Sequence, residues 1–290
     1  MEMLNLTSDV SPAALLGLLG LLVGSFLNVV IHRLPKMMDL RWAAECAEWS
    51  RNQGAAPGPE TTAEPFNLMV PRSRCPHCSH AIRWYENIPI VSYLALRGRC
   101  SQCASPISLR YPLVEAVCGL FFAWCGWTWG LSATGMAWCV FTAVILALAC
   151  IDWDTTLLPD DLTLPLLWAG LCASALGWVA TPLLHAVWGA VAGYLSLWLI
   201  FWAFKLTTGK EGMGYGDFKL FAALGAWFGW QALVPIILMA SVIGAVVGIG
   251  IKLVGQLREG GYVPFGPFLA GAGLTAMIFG PSAMLAFVGL

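Results

Sequence analysis

The sequence predicts an all-α protein that crosses a membrane about eight times and carries a small zinc-binding cytoplasmic domain between its first and second crossings. Three observations carry this expectation. The 290 residues are 59% hydrophobic and 11% charged, with a mean hydropathy of +0.75, so too few charges are available to cover a soluble surface. Apolar runs suited to a hydrocarbon core about 30 Å thick recur along the chain. The one long polar interval, 32–111, holds ten of the 15 Lys and Arg residues together with two C-x-x-C pairs. The formal net charge of -1 decides nothing here, because topology follows the placement of basic residues rather than their sum.

In chain order, helices are expected near 12–31, 113–130, 134–151, 162–180, 183–204, 217–229, 232–252 and 265–288. The acidic Glu2 and Asp9 stand where a secretory signal would be basic, so the first apolar run is expected to be retained. The basic residues of 32–111 place that interval in the cytoplasm. Alternation then puts 152–161, 205–216 and 253–264 on the same side and both termini outside. Lys205, Lys210 and Arg258 fall in those loops, and Lys219 and Lys252 lie within a turn of their helix ends.

The weak crossing is 217–229, which covers only about 20 Å at a helical rise of 1.5 Å per residue. Either the bilayer thins there or the helix starts below its surface. The expected division is 1–31 as the first crossing, 32–111 as a four-cysteine domain, and 112–290 as a seven-helix membrane domain. Within the interval, 50–66 is rich in Gly, Pro and Ala and reads as a flexible connection, leaving 67–111 as the ordered part. No repeat of fixed period stands out.

Cys75, Cys78, Cys100 and Cys103 form two knuckles separated by residues 79–99. Four thiolates so spaced suit tetrahedral zinc, which would be structural, because four protein ligands leave no open position. A pair of disulfides or a redox-active C-x-x-C are the alternatives, and a cytoplasmic location and a second copy speak against them respectively. His77 and His80 could substitute as ligands but read as solvent-facing. The six scattered cysteines read as small apolar filler, and the fifteen tryptophans as interfacial belts and core packing.

Two carboxylates at the edges of apolar runs need a reason. Asp152 ends the third run and Asp217 opens the sixth within Gly214-Tyr215-Gly216-Asp217. The intervening helices go out and come back, so the two can meet. Neighbouring carboxylates share a proton, and the ionised one can then activate water while the protonated one polarises a carbonyl. Gly214 and Gly216 are expected to allow positive φ and close approach of an extended strand. The helix dipole favours an ionised Asp217 at an N-terminus and a protonated Asp152 near a C-terminus. Asp160 and Asp161 read as caps of the next helix, Glu115 as a capping acid at least as readily as a catalytic one, and Asp154 stays open between the two readings.

These residues resemble the type IV prepilin peptidases of Gram-negative bacteria, the bifunctional leader peptidase/N-methyltransferases. The likeness lies in Gly24-Ser25-Phe26-Leu27-Asn28 with His32-Arg33-Leu34-Pro35, the two knuckles, Glu86-Asn87-Ile88-Pro89, Arg110-Tyr111-Pro112-Leu113-Val114-Glu115, and Gly214 to Lys219. The resemblance implies cleavage of the basic leader of type IV prepilins and type II secretion pseudopilins at the inner membrane. Methylation of the new N-terminus with S-adenosylmethionine follows. It further implies Asp152 and Asp217 as the catalytic pair, Gly214, Gly216 and Lys219 in positioning, Gly98 in methyl transfer, and the four cysteines on zinc. Partners would be those substrates and membrane lipid, with no nucleic acid. A non-methylating protease of the same GxGD type, or a cation transporter with a zinc sensor, are the competing readings. The long cysteine domain disfavours the first. Carboxylates at helix ends rather than at the bilayer midplane disfavour the second.

Overall fold

The computed structural model describes residues 3–53, 66–254 and 263–288, so Glu2, Arg258 and most of the 50–66 connection lie outside the described residues. The regular elements among them are all helical: α1 (Met3–Asn52), α2 (Val91–Ala95), α3 (Arg110–Trp129), α4 (Ala133–Thr155), α5 (Asp160–Ala175), α6 (Leu183–Thr208), α7 (Tyr215–Phe228), α8 (Leu233–Leu253), α9 (Gly266–Phe279) and α10 (Pro281–Val288). Four helices, α1, α4, α6 and the α8 segment from Trp230, are long and apolar enough to cross a bilayer. The chain divides into two compact units, Ala13–Trp124 on one hand and Met1–Pro12 with Cys125–Leu290 on the other.

In the first unit, α1 does not stop near residue 31. It runs on to Asn52, because Leu, Met, Ala, Glu and Arg dominate 36–51 and good helix formers propagate a helix already nucleated in the apolar run. Gly17, Gly20 and Gly24 share the face of α1 that meets α3. A Cβ at Gly20 would stand 2.6 Å from Phe122 Cβ, and one at Gly24 would stand 2.7 Å from Glu115 Cα. Small residues thus let the two backbones close in. Buried charges tie these helices to the cysteine segment. Arg33 donates from Nη1 to the Asn67 carbonyl at 2.9 Å and from Nη2 to that of Pro71. Glu115 accepts the Ile90 N–H at 2.8 Å, so it holds a distant turn and does not cap its own helix.

In the second unit, α7 is the centre. Phe218, Leu220, Phe221, Ala222, Ala223, Leu224, Ala226 and Trp227 are all buried, so α7 meets protein on every side. A short helix suffices where protein, not lipid, surrounds it. Gly193 of α6 lies against the Phe221 carbonyl, where a Cβ would stand at 2.8 Å, and Gly170 of α5 lies against the Trp227 indole. The Trp227 N–H donates to the Leu166 carbonyl at 2.9 Å, an exchange worth about 1 kcal/mol net. The helix expected over 265–288 breaks at Gly280, whose φ of +79 precedes Pro281.

Candidate active site and metal centre

Helix α4 continues one turn past the expected end, so Asp152 lies inside its last turn, which Thr156 closes in the left-handed conformation. Asp217 lies in the first turn of α7, behind Gly214 at the N-cap. Both carboxylates are withdrawn from solvent, at 4% and 6% exposure, and close enough for the charge of Asp152 to act on Asp217. Asp217 Oδ2 accepts the Gly214 N–H at 3.2 Å, while its buried Oδ1 has no hydrogen-bond partner. Asp152 Oδ2 accepts the N–H of Gly266, the first residue of α9, at 2.9 Å. A helix N-terminus therefore serves each aspartate, and the expected dipole contrast between them disappears. Aromatic rings wall the Asp217 side: Tyr215 and Phe218 stand 5.3 Å apart, each facing Phe201.

Neither Gly214 nor Gly216 has positive φ, contrary to expectation. Gly214 is extended at φ -84 and ψ 155, and its contribution is the N–H. Gly216 is sterically required, because a Cβ there would stand 2.6 Å from Leu158 Cβ. The same Leu158 side chain also reaches Gly266, so the loop after Asp152 wedges between the first residues of α7 and of α9. Lys219 pairs with Asp160 at 2.6 Å, so Asp160 is an ion-pair partner, and the N-cap of α5 is Pro159.

The four knuckle cysteines converge, with all sulfurs within 4.8 Å of one another. Cys75 and Cys103 sulfurs lie 3.8 Å apart, and Cys78 and Cys100 sulfurs 3.9 Å. A zinc ion about 2.3 Å from each corner of a tetrahedron requires sulfurs about 3.8 Å apart, so the set fits that ion. The electrostatics agree. N–H groups of Cys78 and His77 pull the Cys75 thiol down to about 6. The Cys78 sulfur also receives an N–H, from His80, yet burial and the neighbouring cysteines push it up to about 12. Four sulfurs cannot all ionise unaided, and a dication removes that conflict.

The knuckles form a repeat that the sequence reading missed. Cys75 N–H bonds the His80 carbonyl and Cys100 N–H that of Ser105, each at 2.9 Å. Ser79 and Ala104 take matching left-handed φ values of 58 and 56, and the bridges Arg74–Ala81 and Arg99–Pro106 close both loops. The signal was the shared Arg-Cys-x-x-Cys. Glu86 ties the copies together, accepting the Arg83 N–H at 2.8 Å and the Ser101 hydroxyl at 2.6 Å. These donors, with His80 beside it, hold its carboxyl down to about 2. His80 is thus engaged with Glu86 at 3.2 Å and not with solvent, and neither His77 nor His80 belongs to the sulfur cluster. Gly98 is buried with φ +67, and a Cβ would stand 2.7 Å from Tyr93 Oη.

Apolar crossing helices, a buried pair of carboxylates and a four-cysteine cluster able to hold a metal ion define a multi-pass membrane protein built for hydrolysis. Residues 18–129 match the bacterial peptidase A24 N-terminal domain, and residues 139–249 match the type IV leader peptidase family. The chain is 53% identical to the prepilin leader peptidase/N-methyltransferase of Stutzerimonas stutzeri over 90% of its own length and 89% of that protein's. It is 52% identical to the same-named proteins of Burkholderia pseudomallei (90% and 84%) and Aeromonas hydrophila (93% and 91%). No solved structure is significantly similar to it. The chain belongs to the type IV leader peptidase family.

Proposed function

We propose that this protein cleaves the leader of type IV prepilins and methylates the N-terminus so exposed; its relatives' name, prepilin leader peptidase/N-methyltransferase, and its membership of the type IV leader peptidase family support this reading. The buried pair of Asp152 and Asp217, from the facing ends of α4 and α7, is the observation that carries the cleavage reading. One carboxylate takes a proton from water as it adds to the scissile carbonyl, and the other donates its proton to the carbonyl oxygen; the tetrahedral adduct then collapses with rupture of the C–N bond, the first carboxyl passing its proton to the departing amine and the second recovering its own from the hydroxyl. Gly214 fixes Asp217 through its N–H, Gly216 admits Leu158, and Lys219 anchors the first turn of α7 to α5.

The reading extends to eight crossings, to the division at 1–31, 32–111 and 112–290, and to a cytoplasmic face for both sites in the bacterial inner membrane. The basic residues of the interval support that orientation, since short cytoplasmic segments retain Lys and Arg. Type II pseudopilins, whose leaders share the same chemistry, extend the substrate class. Cys75, Cys78, Cys100 and Cys103 would hold zinc, which organises the repeated knuckles and takes no part in bond cleavage. S-adenosylmethionine supplies the methyl group, with Gly98 shaping the domain where transfer occurs. The described residues include no strand leading into a glycine-rich loop, so that half of the reading rests on the family.

Cleavage and methylation of a synthetic prepilin in detergent test this function directly. Asp152→Asn and Asp217→Asn should each abolish cleavage while leaving methylation of a pre-cleaved substrate. Cys75→Ser should depress methylation first. Cleavage persisting in either asparagine variant would refute the pair.

A further inference from the structure

We infer that the backbone N–H of Gly266 is the positioning group that keeps Asp152 the proton acceptor of the pair and leaves the shared proton on Asp217. The inference deepens the reading above and rests on it. Gly266 opens α9, and its N–H lies 2.9 Å from Asp152 Oδ2. Pro264 and Pro267 carry no N–H, and the Phe268 N–H is already spent on the Phe265 carbonyl at 3.1 Å. Gly266 is thus a donor left over at the first turn, and the helix end reinforces it. Glycine is required: a Cβ at this position would stand 2.5 Å from Asp152 Oδ2.

Asp217 complements this arrangement. Its Oδ1 is buried without a partner, a costly place for an ionised oxygen, whereas a protonated Oδ1 becomes a donor ready for a substrate carbonyl. The charges around the pair do not reverse the assignment. Helix α9 contributes no titratable residue, α7 contributes Lys219 and Tyr215, α6 contributes Tyr194 and Lys205, the latter paired with Glu211, α5 contributes Asp160 and Asp161, and α4 adds Cys150 and Asp154. Lys219 is engaged by Asp160. The division of labour is the opposite of what helix polarity alone suggests from the sequence.

The test is the pH dependence of prepilin cleavage in Gly266→Ala, with Gly271→Ala, whose Cβ meets open space, as the control on the same helix. Retained methylation of a pre-cleaved substrate reports that each variant is folded. Gly266→Ala should lower kcat roughly tenfold and move the acid limb up by about one pH unit, because Asp152 loses a charge-assisted hydrogen bond. Gly271→Ala should keep the wild-type profile. A wild-type profile in Gly266→Ala, with Asp152→Asn inactive, overturns this inference alone; an active Asp152→Asn overturns the cleavage reading itself. The unaltered protein offers a second measurement, since a hydrophobic carbodiimide adds to protonated carboxyls. Mass spectrometry should find Asp217 tagged ahead of Asp152, and the reverse order overturns the assignment.

Discussion

Lys219 holds both carboxylate oxygens of Asp160, at 2.6 and 2.7 Å, and so ties the first turn of α7 to the first turn of α5. The pair is partly exposed, at 27% and 54%, so its worth to global stability is small, under about 1 kcal/mol. Its position matters more, two residues beyond Asp217. Lys219→Met and Asp160→Asn should each lower cleavage several-fold, and the double variant should lose no more than either single one. Additive losses in a double-mutant cycle would show that Lys219 acts apart from Asp160.

Gly216 and Gly214 should part company on substitution. Alanine at Gly216 collides with Leu158, an overpacking worth roughly 1–3 kcal/mol next to the site, whereas alanine at Gly214 meets its nearest atom at 3.9 Å. Gly216→Ala should therefore cost about ten- to a hundred-fold in kcat/KM and Gly214→Ala far less. Leu158→Ala should restore part of the loss in Gly216→Ala, and steady-state cleavage of a synthetic prepilin measures all three variants.

These contrasts mark what the sequence could convey. The meeting of Asp152 and Asp217 was legible because carboxylates beside apolar runs are rare, and the convergence of the four cysteines because their spacing is chemically narrow. Gly266 was silent: its contribution is a backbone N–H reaching Asp152 from a remote helix, which leaves no side-chain signature. The extension of α1 to Asn52 was hidden because hydropathy marks the lipid boundary, and a helix can cross that boundary without ending. The role of Gly216 was misjudged as conformational because its neighbour Leu158 comes from another loop.

Glu86 gives the knuckle domain a defined acid response. Its carboxyl sits at about 2 instead of 4.5, so it favours the folded domain above 4.5, and that contribution is lost as pH falls from there toward 2. Glu86→Gln keeps the shape but weakens the bonds to the Arg83 N–H and Ser101 hydroxyl. The variant should lose roughly 1–3 kcal/mol at neutral pH, and its deficit against the wild type should shrink on acidification below 4.5. Denaturation of the domain followed by hydrogen exchange at several pH values measures the difference.

Zinc retention separates two accounts of Gly98. As a group acting in methyl transfer, Gly98 could be replaced without disturbing the sulfurs. The geometry argues otherwise: φ is +67, its N–H bonds the Tyr93 carbonyl at 2.9 Å, and its carbonyl takes the Ile107 N–H at 2.7 Å, directly before Arg99 and Cys100. A side chain would collide with Tyr93 at the root of the second knuckle. Gly98→Ala should thus lower bound zinc, read by elemental analysis, in parallel with methylation, while cleavage persists. Full zinc occupancy with methylation lost would place the glycine in the transfer chemistry and remove its structural explanation.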